Sequence, residues 1–282
     1  MKALITGANG MLGQELRRIF SDEGYEVVAT DRETLDITDR DQVLAFVREC
    51  RPDVVINAAA YNLVDKVEEA NIYPIAYAIN ALGPKNLAEA AKAIGVPFVH
   101  FSTDYVFAGN KLEGYAEDDA TSPLSKYGQT KAEGERFVQE VGGTFYICRL
   151  SKLFGRPGLG EGSKVSFVEL MLRLAKEKPE LSIVDDEVGC PTYAPDLACA
   201  TFELVTKPYP PGVYHLVNSG EPVTWYAFAQ EIFALAGVAT PRKPVPSSAF
   251  PRAAQLPKAA ALLNTKFLPL RSRKEALEHF LT

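Results

Sequence analysis

A chain of 282 residues, 47% apolar and 23% charged, has material for a large buried core and the balance of an ordinary globular protein. Its net charge of −6 argues against a general nucleic-acid binder, and no apolar run approaches the ~20 residues of a bilayer span, so neither a nucleic-acid nor a membrane partner is expected. The four cysteines, Cys50, Cys148, Cys190 and Cys199, form no CxxC pair, which predicts reduced thiols in a cytoplasmic protein with no disulfide framework and no zinc site.

Met1-Lys2 leads directly into the apolar run Ala3-Leu4-Ile5, so a buried strand with no signal peptide before it is expected. The strand feeds Thr6-Gly7-Ala8-Asn9-Gly10-Met11-Leu12-Gly13, and Met11–Phe20 then has the pattern of a helix. Glycines in a strand-to-helix turn let the backbone approach a pyrophosphate, and the helix N-terminus offers free N–H groups. Gly7, Gly10, Met11, Leu12 and Gly13 are therefore candidates for dinucleotide contact; the plain alternative is a tight turn. Tyr25–Thr30 reads as the second strand. Asp31 at its end is placed to bind the adenosine ribose hydroxyls, whereas Arg32 beside it is placed to accept a 2′-phosphate. NADH and NADPH both stay open. Leu35-Asp36-Ile37 comes next, and Asp36 and Ile37 either flank the adenine or simply precede the amphipathic helix that Asp39 begins and Cys50 ends.

Asp53–Asn57 is the third expected strand. Ala58, Ala59, Ala60 and Tyr61 follow it, and the small residues leave room for a flat cofactor or for close helix packing. One long helical region is expected from about Val64 to Ala93. Phe98–Phe101 makes a fourth strand and runs into Ser102-Thr103-Asp104-Tyr105; a helix follows from about Lys126 to Glu140, then a strand over Phe145–Leu150. At the start of that helix Tyr127 and Lys131 stand four residues apart, on one face. A free phenol ionises near pH ~10. A neighbouring ammonium lowers that value, so the pair can serve as a tuned acid and base; the alternative is an exposed surface pair. Strands alternating with helices imply a parallel sheet with right-handed crossovers and ligands at its carboxyl end. The expected fold is α/β, a Rossmann-type doubly wound parallel sheet. Residues 1–150 would form the dinucleotide-binding domain, with some later segments returning to it, and 151–282 mainly a smaller mixed α/β substrate-binding lobe.

In the second half, 156–162 reads as a loop and Ser163–Glu177 as a helix. Leu181–Val184 and Val213–Val217 are short strand candidates, with helices over Asp196–Val205, Trp225–Ala236 and Arg271–Leu281. The proline-rich stretch Pro241–Pro257 is expected to be an ordered surface loop, and the pieces are too scattered for an independent sheet. His100 and His215 lie in predicted strands and read as histidines of the core or of the layer just behind the site; His279 reads as surface.

These residues resemble the extended short-chain dehydrogenase/reductases, and among them the dTDP-4-dehydrorhamnose reductases, nearly end to end. The specific pieces are Asn57-Ala-Ala-Ala-Tyr61 with Val64-Asp65-Lys66, Phe101-Ser-Thr-Asp-Tyr-Val-Phe107, and Pro123-Leu-Ser-Lys-Tyr-Gly-Gln-Thr-Lys131. Gly189-Cys-Pro-Thr192, Asp196-Leu-Ala198 and Gly212-Val-Tyr-His215 agree in the second half. The resemblance implies that Tyr127 gives the proton to a sugar ketone, that Lys131 lowers its pKa and holds the nicotinamide ribose, and that Thr103, ahead of Ser102, completes a catalytic triad. It implies substrate contact for Thr103, Asp104 and Tyr105, NADPH or NADH as cofactor, and a nucleotide sugar as substrate. Related members bind magnesium at a dimer contact whose glutamate corresponds to Glu15, so Mg2+ and a homodimer are open options; an exposed helix glutamate is the simpler reading. One departure stands out. The rhamnose enzymes carry Arg-Thr-Ser-Trp after the fifth strand, where this chain has Arg149-Leu-Ser-Lys152. Exchanging an indole for a flexible cation implies altered sugar recognition, with Lys152 reaching the substrate or pairing within Asp185-Asp186-Glu187. An epimerase or dehydratase on the same fold, and a silent regulatory subunit, are the competing functions. Tyr105-Val106 after Asp104 favours the reductase over a dehydratase, and the intact Thr103, Tyr127 and Lys131 argue against a silent protein.

Overall fold

The computed structural model describes residues 1–160 and 163–282, so the end of the expected 156–162 loop lies outside the described residues. The first half runs β1 (Lys2–Thr6), α1 (Met11–Asp22), β2 (Glu26–Thr30), α2 (Arg40–Cys50), β3 (Val54–Asn57), α3 (Tyr73–Tyr77), α4 (Gly83–Ile94), β4 (Phe98–Thr103), α5 (Lys126–Val141) and β5 (Phe145–Phe154). Then come α6 (Phe167–Glu177), β6 (Leu181–Val184), β7 (Val188–Gly189), β8 (Pro191–Tyr193), α7 (Ala194–Thr206), β9 (Gly212–His215), β10 (Asn218–Ser219) and β11 (Val223–Thr224). The chain closes with α8 (Trp225–Leu235), β12 (Arg242–Val245), β13 (Leu270–Ser272) and α9 (Arg273–Leu281).

Successive strand residues alternate between two cores, as the pleat demands. Ala3, Ile5, Val54 and Ile56 meet Leu12, Leu16 and Phe20 of α1 and Leu197 and Leu204 of α7. Leu4 and Val55 meet Val43 and Val47 of α2 and Leu87 of α4 on the opposite face. Helices therefore cover both faces of a parallel sheet of order β2-β1-β3-β4-β5, the doubly wound arrangement expected. β2 and β3 leave β1 on opposite sides, so the strand order reverses there and a crevice opens at the carboxyl ends. Two later strands return to this sheet: β9 runs beside Tyr146–Arg149 of β5 and β8 beside its last residues.

The long helix expected over Val64–Ala93 holds from Tyr73 to Ile94, where α3 runs through a π turn (Ala78–Leu82) into α4 with helical backbone at every junction, while Val64–Glu68 is a separate 3-10 turn. Pro74 and Pro84 stand in the first turns of α3 and α4. A proline offers no N–H to the preceding turn, so Pro74 suits the start of the helix, while Pro84 leaves one bond unmade just after the π turn. β5 runs past the expected end at Leu150 to Phe154, because β8 pairs with its extension across a bulge between Ser151 and Leu153. The stretch Pro241–Pro257 is not all loop: β12 pairs in parallel with β6, with Pro244 tolerated at an edge. Among the described residues the lobe otherwise holds two-stranded ribbons, β6–β12, β7–β11 and β10–β13, around a third core of Phe154, Val168, Met171, Phe228, Ile232, Phe233 and Leu277. Among the described residues no helix is long and apolar enough to cross a membrane.

Candidate active site

The crevice beside β1 is a cavity of about 750 Å3. Gly7, Gly10, Met11, Leu12 and Gly13, Asp31, Arg32, Asp36 and Ile37, Ala58, Ala59 and Ala60, and Thr103, Tyr127 and Lys131 all line it. The three glycines differ in what they require. Gly7 has φ +64°, and a Cβ there would lie 2.5 Å from the Ala59 nitrogen; one on Gly13 would lie 2.2 Å from the Gly7 carbonyl. The fold itself demands both. A Cβ on Gly10 would meet only the Gly7 carbonyl at 3.3 Å, so what is kept clear there is space in the cavity. That cradle, with the N-terminus of α1 directly behind it, fits the pyrophosphate of a dinucleotide. Ser102 Oγ also lines the cavity, buried and without a hydrogen-bond partner among the described residues.

At the end of β2 the Asp31 carboxylate is held in place. It accepts from the Glu33 and Thr34 backbone N–H groups, from the Thr34 hydroxyl and from Asn9 Nδ2 at 3.0 Å. The Thr34 bonds hold its pKa below the usual range. Arg32 beside it is exposed. Asp36 is the acceptor of a similar turn, taking hydrogen bonds from the Thr38 backbone and hydroxyl. Tyr61 departs from expectation. It does not line the cavity; its backbone is clamped by Asn80, and it packs with Val67, Ala76 and Tyr127, while the next residue, Asn62, lines the cavity instead. Asn80 sits on the π turn and also donates to Thr130 Oγ1 of α5 at 3.0 Å.

Thr103 ends β4 and caps the following turn, its hydroxyl accepting from Tyr105 N–H at 3.2 Å and donating to Asp104 Oδ1 at 2.9 Å. The other Asp104 oxygen accepts from the Ser151 hydroxyl at 2.7 Å. Asp104 is only 5% exposed, and burial pushes its pKa up. Tyr127 stands in the first turn of α5, which Ser125 caps through the Gly128 N–H. Burial and then the Asp104 charge push the Tyr127 phenol well above its ordinary value, while a hydrogen bond with Thr103 pulls the other way. Tyr105 packs edge-on against the Tyr127 ring, centroids 5.8 Å apart. Lys131 is 2% exposed and donates to the Phe101 carbonyl at 2.6 Å, drawn toward β4. Burial lowers its pKa to about 8, against the pull of Glu135. The lowering of the phenol by this lysine, expected from their spacing, is therefore not what the geometry displays: burial dominates both groups.

Lys152 occupies the β5 bulge with φ +45°, a left-handed conformation that costs a non-glycine residue about 1 kcal/mol or more. Its Nζ donates to the Glu187 carbonyl at 3.2 Å and lies 3.4 Å from the centre of the Trp225 ring. Glu187 Oε2 in turn accepts from Trp225 Nε1 at 3.1 Å. Burial lowers the lysine pKa, opposed by the charges of Asp104 and Glu187. The expected pairing with the 185–187 stretch is thus to a backbone carbonyl, and an indole from α8 covers the ammonium. Glu15 is not an exposed glutamate: its side chain is 11% exposed and bonds Arg18 Nε at 3.0 Å. Among the described residues no group of three or more His, Cys, Asp or Glu is gathered to hold a metal ion. A second groove of about 950 Å3 lies on the far side of α5, rich in carboxylates such as Glu117, Asp118 and Glu133, and shares none of the glycine-loop lining.

The family model described as the RmlD substrate binding domain matches residues 1–282. The chain is 40% identical over 285 residues to the dTDP-4-dehydrorhamnose reductase of Streptomyces griseus, covering 97% of this chain and 91% of that one. A crystal structure of a dTDP-4-dehydrorhamnose reductase from Clostridium acetobutylicum superimposes with a TM-score of 0.92 at 42% identity, over 100% of this chain and 98% of that chain. The dTDP-4-dehydrorhamnose reductase of Bacillus anthracis, solved in complex with NADP, gives 0.91 at 39% identity over 99% and 98%.

Proposed function

This chain belongs to the RmlD substrate binding domain family together with the dTDP-4-dehydrorhamnose reductases, and from that premise we propose that it reduces dTDP-4-dehydrorhamnose to dTDP-L-rhamnose with NADPH or NADH. One observation carries the reading: Thr103, Tyr127 and Lys131 line the same cavity as the glycine loop. The nicotinamide cofactor, when bound, supplies the hydride. Gly10 and the N-terminus of α1 would receive its diphosphate, Asp31 and Arg32 its adenosine ribose, Asp36 and Ile37 its adenine, and Lys131 its second ribose.

The remaining chemistry is the chain's own. Tyr127 holds the proton that the carbonyl oxygen needs as its carbon is reduced, and its raised pKa keeps that proton in place until charge develops on the oxygen. Thr103 gives its hydrogen to Asp104 here; turned toward the phenol instead, the same hydrogen would stabilise the phenolate that proton transfer leaves behind. Asp104, fixed between two hydroxyls, is a positioning residue for Thr103. On this reading residues 1–150 carry the cofactor and 151–282 mainly the sugar nucleotide, with Lys152, Tyr105 and Trp225 at the sugar's side. A cytoplasmic location and pairing of two copies belong to the reading as well.

The test is to mix the purified protein with NADPH or NADH and dTDP-4-dehydrorhamnose and to follow nicotinamide absorbance. Sustained oxidation with one dTDP-L-rhamnose formed per cofactor supports the reductase. Tightly held cofactor with no net oxidation indicates an epimerase instead.

A further inference from the structure

Three neighbouring strands of the sheet carry a row of polar side chains beneath the active-site cavity. Thr6 of β1 is in register with Asn57 of β3, and Asn57 with His100 of β4. All three are buried, at 1%, 1% and 0% exposure. Asn57 Oδ1 accepts from the Thr6 hydroxyl at 2.7 Å and from the Ala59 backbone N–H at 3.1 Å. A backbone N–H only donates, so the amide oxygen must face Ala59. The amide nitrogen therefore faces His100 Nδ1, at 3.1 Å, and donates to it. Burial and then the Lys131 charge hold the His100 pKa well below its usual value, so the ring is neutral. A neutral imidazole that accepts at Nδ1 carries its hydrogen on Nε2. That nitrogen lies 3.5 Å from Lys131 Nζ.

We propose that His100 is a positioning residue that makes Lys131 a ready proton source, by aiming an Nε2–H at its amine. An ammonium has only hydrogens to turn toward that N–H and is repelled; a neutral amine has a lone pair and accepts it. The other groups facing Lys131 are the Phe101 carbonyl of β4, which accepts its proton at 2.6 Å, Glu135 on the next turn of α5, and Tyr127 on the preceding turn. Glu135 is committed to Arg149 of β5 at 2.7 Å, which leaves His100 as the neighbour that favours the neutral form. Burial already lowers the lysine pKa, and the Nε2–H acts in the same direction.

The proposal rests on the reductase reading for its consequence. As the carbonyl carbon receives hydride, the Tyr127 proton moves to the carbonyl oxygen and leaves a phenolate. One proton from the Lys131 ammonium restores the phenol; the amine left behind accepts the His100 N–H as a hydrogen bond and regains a proton from water at the cavity.

The experiment is a pH titration of Lys131 in the full-length chain, read from the 13Cε resonance of labelled lysine and assigned with Lys131→Arg. It is repeated for His100→Phe, which deletes the N–H, and for Asn57→Asp, whose carboxylate takes the proton at Nδ1 and turns the Nε2 lone pair toward the lysine. Both variants should raise the Lys131 midpoint by about one pH unit, a tenfold change, and move the alkaline limb of kcat/KM by the same amount. His100→Leu decides the matter if His100→Phe does not fold, because the new carboxylate of Asn57→Asp raises the lysine midpoint by attraction alone. A midpoint unmoved in every folded variant, with activity reduced equally at all pH values, makes His100 a structural residue and overturns the proposal. If the wild-type protein turns over no keto sugar, the reductase reading fails, while the lysine titration still settles whether His100 governs Lys131.

Discussion

The Lys152 ammonium lies 3.4 Å from the centre of the Trp225 ring, and Trp225 is the sole tryptophan of the chain. A cation over an indole contributes roughly 0.5–2 kcal/mol, more as it is desolvated. The pair joins the end of β5 to α8, and the same ammonium feels the charge of Asp104 next to the catalytic hydroxyls. Position 152 therefore presents a cation and an indole together, where the resemblance implies a tryptophan at position 152 itself.

Lys152→Met keeps the stem and removes the charge. The fluorescence of the single tryptophan should change, stability should fall by about 1 kcal/mol, and KM for the sugar nucleotide should rise with cofactor affinity unchanged. Steady-state kinetics and fluorescence on the same variant check this. An unchanged KM would leave Lys152 as a link between β5 and the lobe.

Gly10→Val isolates ligand approach from folding, because the protein presents only the Gly7 carbonyl to a new Cβ there. Calorimetry should find NADPH binding weakened by about tenfold or more, at least about 1.4 kcal/mol, with little change in thermal stability. The same substitution at Gly7 or Gly13 should unfold the loop, since the Ala59 and Gly7 backbones occupy the space. Full NADPH affinity in Gly10→Val would make the loop a turn without a ligand.

Arg32→Ala should cost NADPH far more than NADH. Losing one charge-assisted contact to a 2′-phosphate is worth about 1.5–3 kcal/mol, and Asp31, tied to Thr34 and Asn9, stays in place to meet ribose hydroxyls. Dissociation constants for both cofactors test it; parallel losses would remove Arg32 from the adenosine site.

Much of this site was legible because strand, glycine turn and helix are adjacent in the chain. β1, the loop and α1 follow one another without interruption, and Asp31 and the three alanines sit directly at strand ends, where a parallel sheet gathers its ligands. What escaped depends on contacts across the fold. The sequence around Lys152 contains no sign of Trp225, nor of the bulge that pairing with β8 imposes. His100 reads from sequence as a histidine of the core or of the layer behind the site, and which of the two it is depends on its contact with Asn57, which exists only through the register of β3 on β4. Tyr61 was placed at the cofactor by its proximity to the alanines, but Asn80 on the π turn captures its backbone. That turn is a local widening inside the continuous helix Tyr73–Ile94, just before Pro84, which hydrophobic periodicity does not mark.

The helix that presents Tyr127 and Lys131 is anchored to β5 by the buried pair Glu135–Arg149, at 2% and 4% side-chain exposure. Glu135→Ala leaves a buried guanidinium without its counter-charge, and chemical denaturation should show a loss of about 3–5 kcal/mol. A loss below about 1 kcal/mol would mean that the Glu117 carbonyl and His215 suffice to hold Arg149.

The most direct measurement of the central claim compares Tyr127→Phe with the wild-type protein in NADPH-dependent reduction of dTDP-4-dehydrorhamnose. The substitution removes one hydroxyl from a buried ring and leaves the cavity lining otherwise intact. Turnover should fall by roughly 10²–10⁴-fold, as for a lost general acid, while the dissociation constant for NADPH is retained. Turnover by Tyr127→Phe near the wild-type rate would contradict the assignment of Tyr127 as proton donor and with it the mechanism.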